Sequence, residues 1–152
     1  MLDPRSVRWW QVQWLALFVP PVLVLVLLGV LIAPARFWLL LPAAVIAVPG
    51  LIVSVFLPLW WYRVHRWEVT DSAVYVRTGF FWQEWRIAPM SRIQTVDTVR
   101  GPLQQLFGLA TVVVTTASSK GAVRIEGLDH EVAAELAERL TQITGATPGD
   151  AT

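Results

Sequence analysis

Two uncharged stretches, between Arg8 and Arg36 and between Arg36 and Arg63, constrain this chain more than any other feature. Each exceeds the roughly 20 residues that a helix needs to cross about 30 Å of hydrocarbon. No water is available there to pair backbone N–H and C=O groups, so a helix, which pairs them internally, is the conformation such a stretch adopts. Spans are predicted at about 14–33 and 37–61. The connection Ala33-Pro34-Ala35-Arg36 suits a tight turn, because proline starts a new element readily but cannot continue the old one. The two spans read as a helical hairpin.

The arginines orient it. Arg5 and Arg8 precede the first span and Arg63 and Arg66 follow the second, whereas the turn holds only Arg36. Positive charge is retained on the cytoplasmic side, so a multi-pass protein of the cell membrane with both termini cytoplasmic is expected. Aromatic side chains favour the headgroup level, and Trp10, Trp14, Trp38, Trp60 and Trp61, with Arg63, are the predicted membrane-interface anchors. A cleavable signal peptide is the rival, since Arg5 and Arg8 resemble its basic region and Ala33-Pro34-Ala35 its cleavage site. The apolar stretch is too long for that, and a second span follows at once. Pro20, Pro21, Pro42, Pro49 and Pro58 invite comparison with the broken helices of transporters. Neither span contains an ionisable residue to line an ion path, which favours kinked anchor helices. Gly29 and Gly50 permit close helix contact without forming a GxxxG pair.

Hydrophobic residues make up 55% of the chain and are concentrated before residue 63, so the rest has the mixed polarity of one small domain. The expected organisation is a transmembrane hairpin at 1–63, a cytoplasmic domain at 64–145 and a flexible tail at 146–152. Net charge is +1, and with four arginines among the first 63 residues against Asp3 alone, the later domain is slightly acidic. That argues against a nucleic-acid partner. Cysteine is absent, which removes disulfides, thiolate metal sites and a cysteine nucleophile.

Beyond residue 66 the apolar period becomes two, that of strands. Strands are predicted at 67–70, 73–78 and 82–87, the last with Trp85 and Ile87 on its buried face. Pro89 breaks this meander. The stretch 93–99 alternates Ile93, Thr95, Asp97 and Val99 against Gln94, Val96 and Thr98, and reads as a strand with differently solvated faces. Leu103 to Phe107 has the spacing of a single helical turn closed by Gly108. Strands at 110–116 and 122–126 follow, joined by Ser118-Ser119-Lys120-Gly121. Asp129 is a candidate cap for a final helix whose apolar stripe is Val132, Leu136, Leu140 and Ile143, ended by Gly145. Six or seven antiparallel strands closed by one amphipathic C-terminal α-helix suit a mainly β, pleckstrin-homology-like barrel; a small sandwich with a terminal helix fits the same pattern.

The run Ile87-Ala88-Pro89-Met90-Ser91-Arg92-Ile93-Gln94-Thr95-Val96, followed by Leu103-Gln104-Gln105-Leu106-Phe107-Gly108-Leu109-Ala110 and Val112-Val113-Val114-Thr115-Thr116-Ala117, resembles the bacterial PH domain family of YdbS-like membrane proteins. The two-span hairpin, Trp67-Glu68-Val69-Thr70, Thr78-Gly79 and the closing helix extend the likeness over almost the whole chain. The resemblance implies a membrane-tethered PH-like domain that is not an enzyme and that partners larger membrane proteins with several such domains. Phe107 departs from it, standing where a basic residue is expected.

Site chemistry is sparse. His65 and His130 are far apart, with no metal-ligand spacing, and Asp129-His130-Glu131 point in different directions at a helix start. Ser72, Ser91, Ser118 and Ser119 lack a nucleophile-elbow context. No catalytic, cofactor-binding or metal residues are assigned. Arg77, Arg86, Arg92, Arg100, Lys120 and Arg124 are candidate headgroup ligands, yet they are dispersed and interleaved with acids. The expected partners are therefore the bilayer and, at a surface around Arg92, Gln94, Thr95 and Asp97, either a second copy or a larger membrane protein with PH-like domains. A phospholipid-headgroup sensor and an accessory subunit of a membrane transport complex are the alternatives.

Overall fold

The computed structural model describes residues 2–145 and the backbone at Thr147–Pro148. The expected flexible tail therefore lies, apart from that short piece of backbone, outside the described residues. Two compact units emerge: Val7–Trp60, and Met1–Ser6 together with Trp61–Thr152.

The first unit is built from α1 (Arg5–Leu31) and α2 (Arg36–Val64), joined by a 3-10 turn at Ala33–Ala35. The expected span at 37–61 lies inside α2, whereas the one at 14–33 overruns α1 by two residues, Ile32 and Ala33, the second of which already belongs to the 3-10 turn. Both helices are long and apolar enough to cross a membrane. All five prolines sit within helix. Each forfeits one backbone hydrogen bond, a cost that neighbouring helices and hydroxyl side chains reduce in apolar surroundings. Buried Ser54 keeps its own hydroxyl satisfied by donating to the Gly50 carbonyl at 2.7 Å. Gly50 also lets the two helices meet, since a Cβ there would stand 2.8 Å from Phe18 Cγ. At Gly29 the corresponding distance is 3.0 Å to Leu40. Lost side chains at these points are what permit close packing when no hydrophobic force drives helices together in lipid.

In the second unit β1 (Arg66–Val69), β2 (Ala73–Gly79) and β3 (Gln83–Pro89) form an antiparallel sheet in the order β1-β2-β3. A 3-10 turn at Met90–Arg92 leads to β4 (Ile93–Val99), α3 (Pro102–Phe107), β5 (Leu109–Thr116) and β6 (Val123–Asp129). These strands form a second antiparallel sheet, β6-β5-β4, to whose outer edge β7 (Thr147–Pro148) adds a parallel pairing at Thr95 and Val96. The last helix, α4 (His130–Thr144), packs on β4, β5 and β6. One core unites both sheets and α4, with Val74, Val76, Ala88, Val112, Ile125 and Leu140 among its buried members.

Four expectations need correction. Among the described residues no closed barrel forms, because β3 and β6 share no ladder. Pro89 has no N–H to extend the first sheet, and the turn after it sends the chain into the second. Where a closed barrel would have backbone pairing, the Arg86 guanidinium donates to the carbonyls of Lys120 and Ala122 at 3.3 and 3.2 Å.

Trp85 and Ile87 are not on the buried face. They are 61% and 57% exposed. Cross-strand partners share a face, and the register pairs Val74 with Ala88 and Val76 with Arg86, so these point inward while Tyr75–Ile87 and Arg77–Trp85 point outward. A two-residue period admits two phases, and the larger side chains of β3 suggested the wrong one.

In α4 the buried stripe is Ala133, Leu136 and Leu140, with Ala137 partly covered, while Val132 and Ile143 are exposed. Alanines at two contact positions let the helix lie close to the sheet. Finally, a bulge between Ile93 and Thr95 breaks the alternation expected of β4, so its buried residues, Ile93 and Val96, are three apart.

Candidate interaction surface

The segment singled out from sequence begins at the 3-10 turn and continues along β4. Arg92 and Gln94 are exposed, and Thr95 and Asp97 half-buried. Thr95 Oγ1 donates to Asp97 Oδ2 at 3.3 Å, and the Arg92 carbonyl accepts from the Ala117 amide at 3.0 Å, closing the β4–β5 end. Among the described residues, the outer edge of β4 is covered by β7 only at Thr95 and Val96. Thr98 and Val99, beyond that cover, are exposed. The four residues thus share one edge of the second sheet and frame its bulge, without enclosing a cavity.

The basic residues do not converge. Arg77 donates from Nε to the Val64 carbonyl at 2.9 Å and lies 5.5 Å from the Trp85 ring centroid. Arg86 is engaged by Glu84 at 3.1 Å as well as by two carbonyls. Arg100 donates to the Leu109 carbonyl at 3.2 Å. Arg92, Lys120 and Arg124 are exposed, on a turn, a loop and a strand respectively. An open cleft of about 290 Å³ between β3 and β6 carries Arg86 and Arg124, but Glu84 and Val76 line it too. Phosphate capture needs several donors aimed at one point, and this cleft supplies no such focus.

The histidines are likewise committed to the fold. His65 Nδ1 lies 3.1 Å from the Trp61 carbonyl, and burial holds this imidazole's pKa below its usual value. His130 Nδ1 is 3.3 Å from the Gly108 carbonyl. Among the described residues no three His, Cys, Asp or Glu side chains gather as a metal site. Of the expected interface anchors, Trp38 and Trp60 are exposed, Trp14 and Trp61 half-buried and Trp10 buried, while Arg63 is exposed. Trp14 stacks on Phe18 with centroids 6.0 Å apart.

Sequence reasoning missed a docked N-terminal segment. Leu2 and Ser6 are buried against the strand domain. The Asp3 amide donates to the Gly127 carbonyl at 3.0 Å, and the Tyr62 hydroxyl donates to the Leu2 carbonyl at 3.2 Å. Arg5 pairs with Asp3 at 3.0 Å and reaches Asp129, the residue that caps α4 by accepting from the Glu131 amide at 2.9 Å. Arg5 holds the Asp3 carboxyl below the usual range, and for Asp129 the Glu131 amide comes first and Arg5 second. Gly127, at φ +71°, makes the fit possible, since a Cβ there would lie 2.7 Å from Ser6 Cβ. The only trace of this in the sequence is the local Asp3/Arg5 pair; its distant partner follows from no periodicity.

An apolar helix pair running directly into two antiparallel sheets and a closing helix defines a membrane-tethered domain. A family model described as Bacterial PH domain matches residues 12–144, and the chain belongs to that family. It is similar to UPF0699 transmembrane protein YdbS of Bacillus subtilis (strain 168), with 29% identity over 154 residues, covering 98% of this chain and 94% of that protein. With its two apolar helices, this is a transmembrane protein carrying a PH-like domain. No solved structure matches it.

Proposed function

We propose that the chain is a multi-pass, non-enzymatic module of the cell membrane that mediates protein assembly at the cytoplasmic face, its contact surface formed by Arg92, Gln94, Thr95 and Asp97. The observation that carries this reading is the edge of β4, which among the described residues is covered only at Thr95 and Val96 and leaves Thr98 and Val99 exposed. An uncovered edge offers backbone donors and acceptors to a strand of another protein. Anchoring confines both partners to two dimensions, so that a weak contact suffices. The edge would take a strand from a second copy or from a larger membrane protein with PH-like domains. Topology supports the side assigned: residues on either side of the hairpin, Met1–Ser6 and Trp61 onward, belong to one compact unit, as they do if both ends lie in the same compartment. The arginine distribution supports the cytoplasm as that compartment.

Membrane crosslinking followed by mild-detergent purification tests the proposal. A homo-oligomer or a membrane-protein partner should be recovered with the native chain and lost with Gln94→Lys/Thr98→Lys, which places charge on the edge. Recovery of a monomer with phospholipid alone would favour headgroup sensing, and a transport protein in the crosslinked band would favour the accessory role.

A further inference from the structure

The turn between β2 and β3 carries Phe80, Phe81 and Trp82, of which Phe81 and Trp82 are 82% and 88% exposed. Large aromatic side chains are seldom displayed so fully on a protein surrounded by water alone. Their display is built in. A Cβ on Gly79, whose φ is +127°, would collide with the Trp82 carbonyl oxygen, so only glycine closes this tight turn. Phe80 and Phe81 meet edge to face with centroids 4.3 Å apart.

The register places this turn. Arg66, the first residue of β1, pairs with Arg77 of β2, and Arg77 donates to the carbonyl of Val64, the last residue of α2. From Arg77 the hairpin continues through Thr78–Glu84 and Gly79–Gln83, past the start of β1, where the chain enters from Val64 and His65. At about 3.3 Å per residue the aromatic tip lies roughly 10 Å beyond Arg77. Trp61 lies only about 5 Å along the helix from Val64. The tip and the last turn of α2 therefore lie at the same end of β1. Arg63, Arg66 and Arg77 are at this same end, and the acid nearest the tip, Glu84, is paired with Arg86.

The geometry points to the Phe80-Phe81-Trp82 turn as a second membrane contact, inserted into the interfacial layer of the bilayer beside the end of α2, with Arg63, Arg66 and Arg77 among anionic headgroups. Aromatic rings suit the boundary between acyl chain and headgroup, and the flanking cations complement the negative cytoplasmic leaflet. The contact would orient the domain on the membrane, and it stands whether or not the β4 edge binds a protein.

The chain has no cysteine, so a single nitroxide label can be placed at will. Full-length Phe81→Cys and, separately, Trp82→Cys would be labelled in liposomes of mixed neutral and anionic phospholipid, with Asp71→Cys, at the opposite turn of β2, as the aqueous control. Labels at 81 and 82 should collide with oxygen and lose collision with an aqueous nickel chelate that the label at 71 retains. Equal access to both reagents at all three positions would overturn the proposal, because the tip would then lie in water. Shielding from both reagents at 81 and 82 would overturn it in favour of a protein contact.

Discussion

At the scale of single residues, two positions set how the strand domain responds to substitution and to pH. Gly127 combines a left-handed backbone with contact to Ser6. Gly127→Ala should lower stability by about 1–2 kcal/mol from backbone strain alone. It should also raise hydrogen exchange at residues 2–6, whereas strain without displacement would leave exchange there unchanged. His65 is the other. Burial lowers its folded-state pKa below the unfolded value near 6.5, so the unfolded chain binds its proton first as pH falls. Stability should therefore decline from about pH 7 until His65 is protonated in the folded state as well, and level off there. In His65→Phe the thermal midpoint should lose this slope; an unchanged slope would assign it to another group.

Elements show where sequence reasoning succeeded and where it stopped. The membrane helices, the single turn before Gly108 and the cap at Asp129 were legible because each depends on neighbours within a few residues: unbroken apolarity, a glycine stop, a carboxylate beside free amides. Which face of β3 is inward was not, since it depends on the pairing of Val74 with Ala88 across the sheet. Nor was the β4 bulge, which shifts the phase of the very segment chosen as a partner surface. For the proposed surface, the sequence placed its residues along one strand but did not reveal the partial cover of that strand by β7. The hairpin offers a test of its own. Gly50 was noted as a point of close approach, and its contact with Phe18 leaves no space for a side chain. Gly50→Leu should destabilise the helix pair by about 1–3 kcal/mol through overpacking. Adding Phe18→Ala should restore part of that loss, and a double variant no better than the single one would mean that Phe18 is not what Gly50 accommodates.

For the whole molecule, the corner between β6 and α4 grips the N-terminal segment through Leu2, Asp3, Arg5 and Ser6. Arg5 sits between two carboxylates, Asp3 and Asp129, whose folded-state pKa values both lie below the ordinary value of 3.8. A depressed carboxylate pKa contributes stability that is present above the unfolded value and is lost as pH falls through the folded one. The grip should therefore hold at neutral pH and down to about pH 4, then fail below it. Hydrogen exchange separates this event from general acid unfolding. Residues 3–6 and the first turn of α4 should lose protection first as acid is added, while β5, whose Leu109, Val112 and Val114 are fully buried, retains it. Replacing both acids, Asp3→Asn/Asp129→Asn, should make that early step independent of pH, with residues 3–6 already less protected at neutrality. Simultaneous loss of protection at residues 3–6 and in β5 would show instead that the segment and the domain unfold as one cooperative unit, with no separate latch at Arg5.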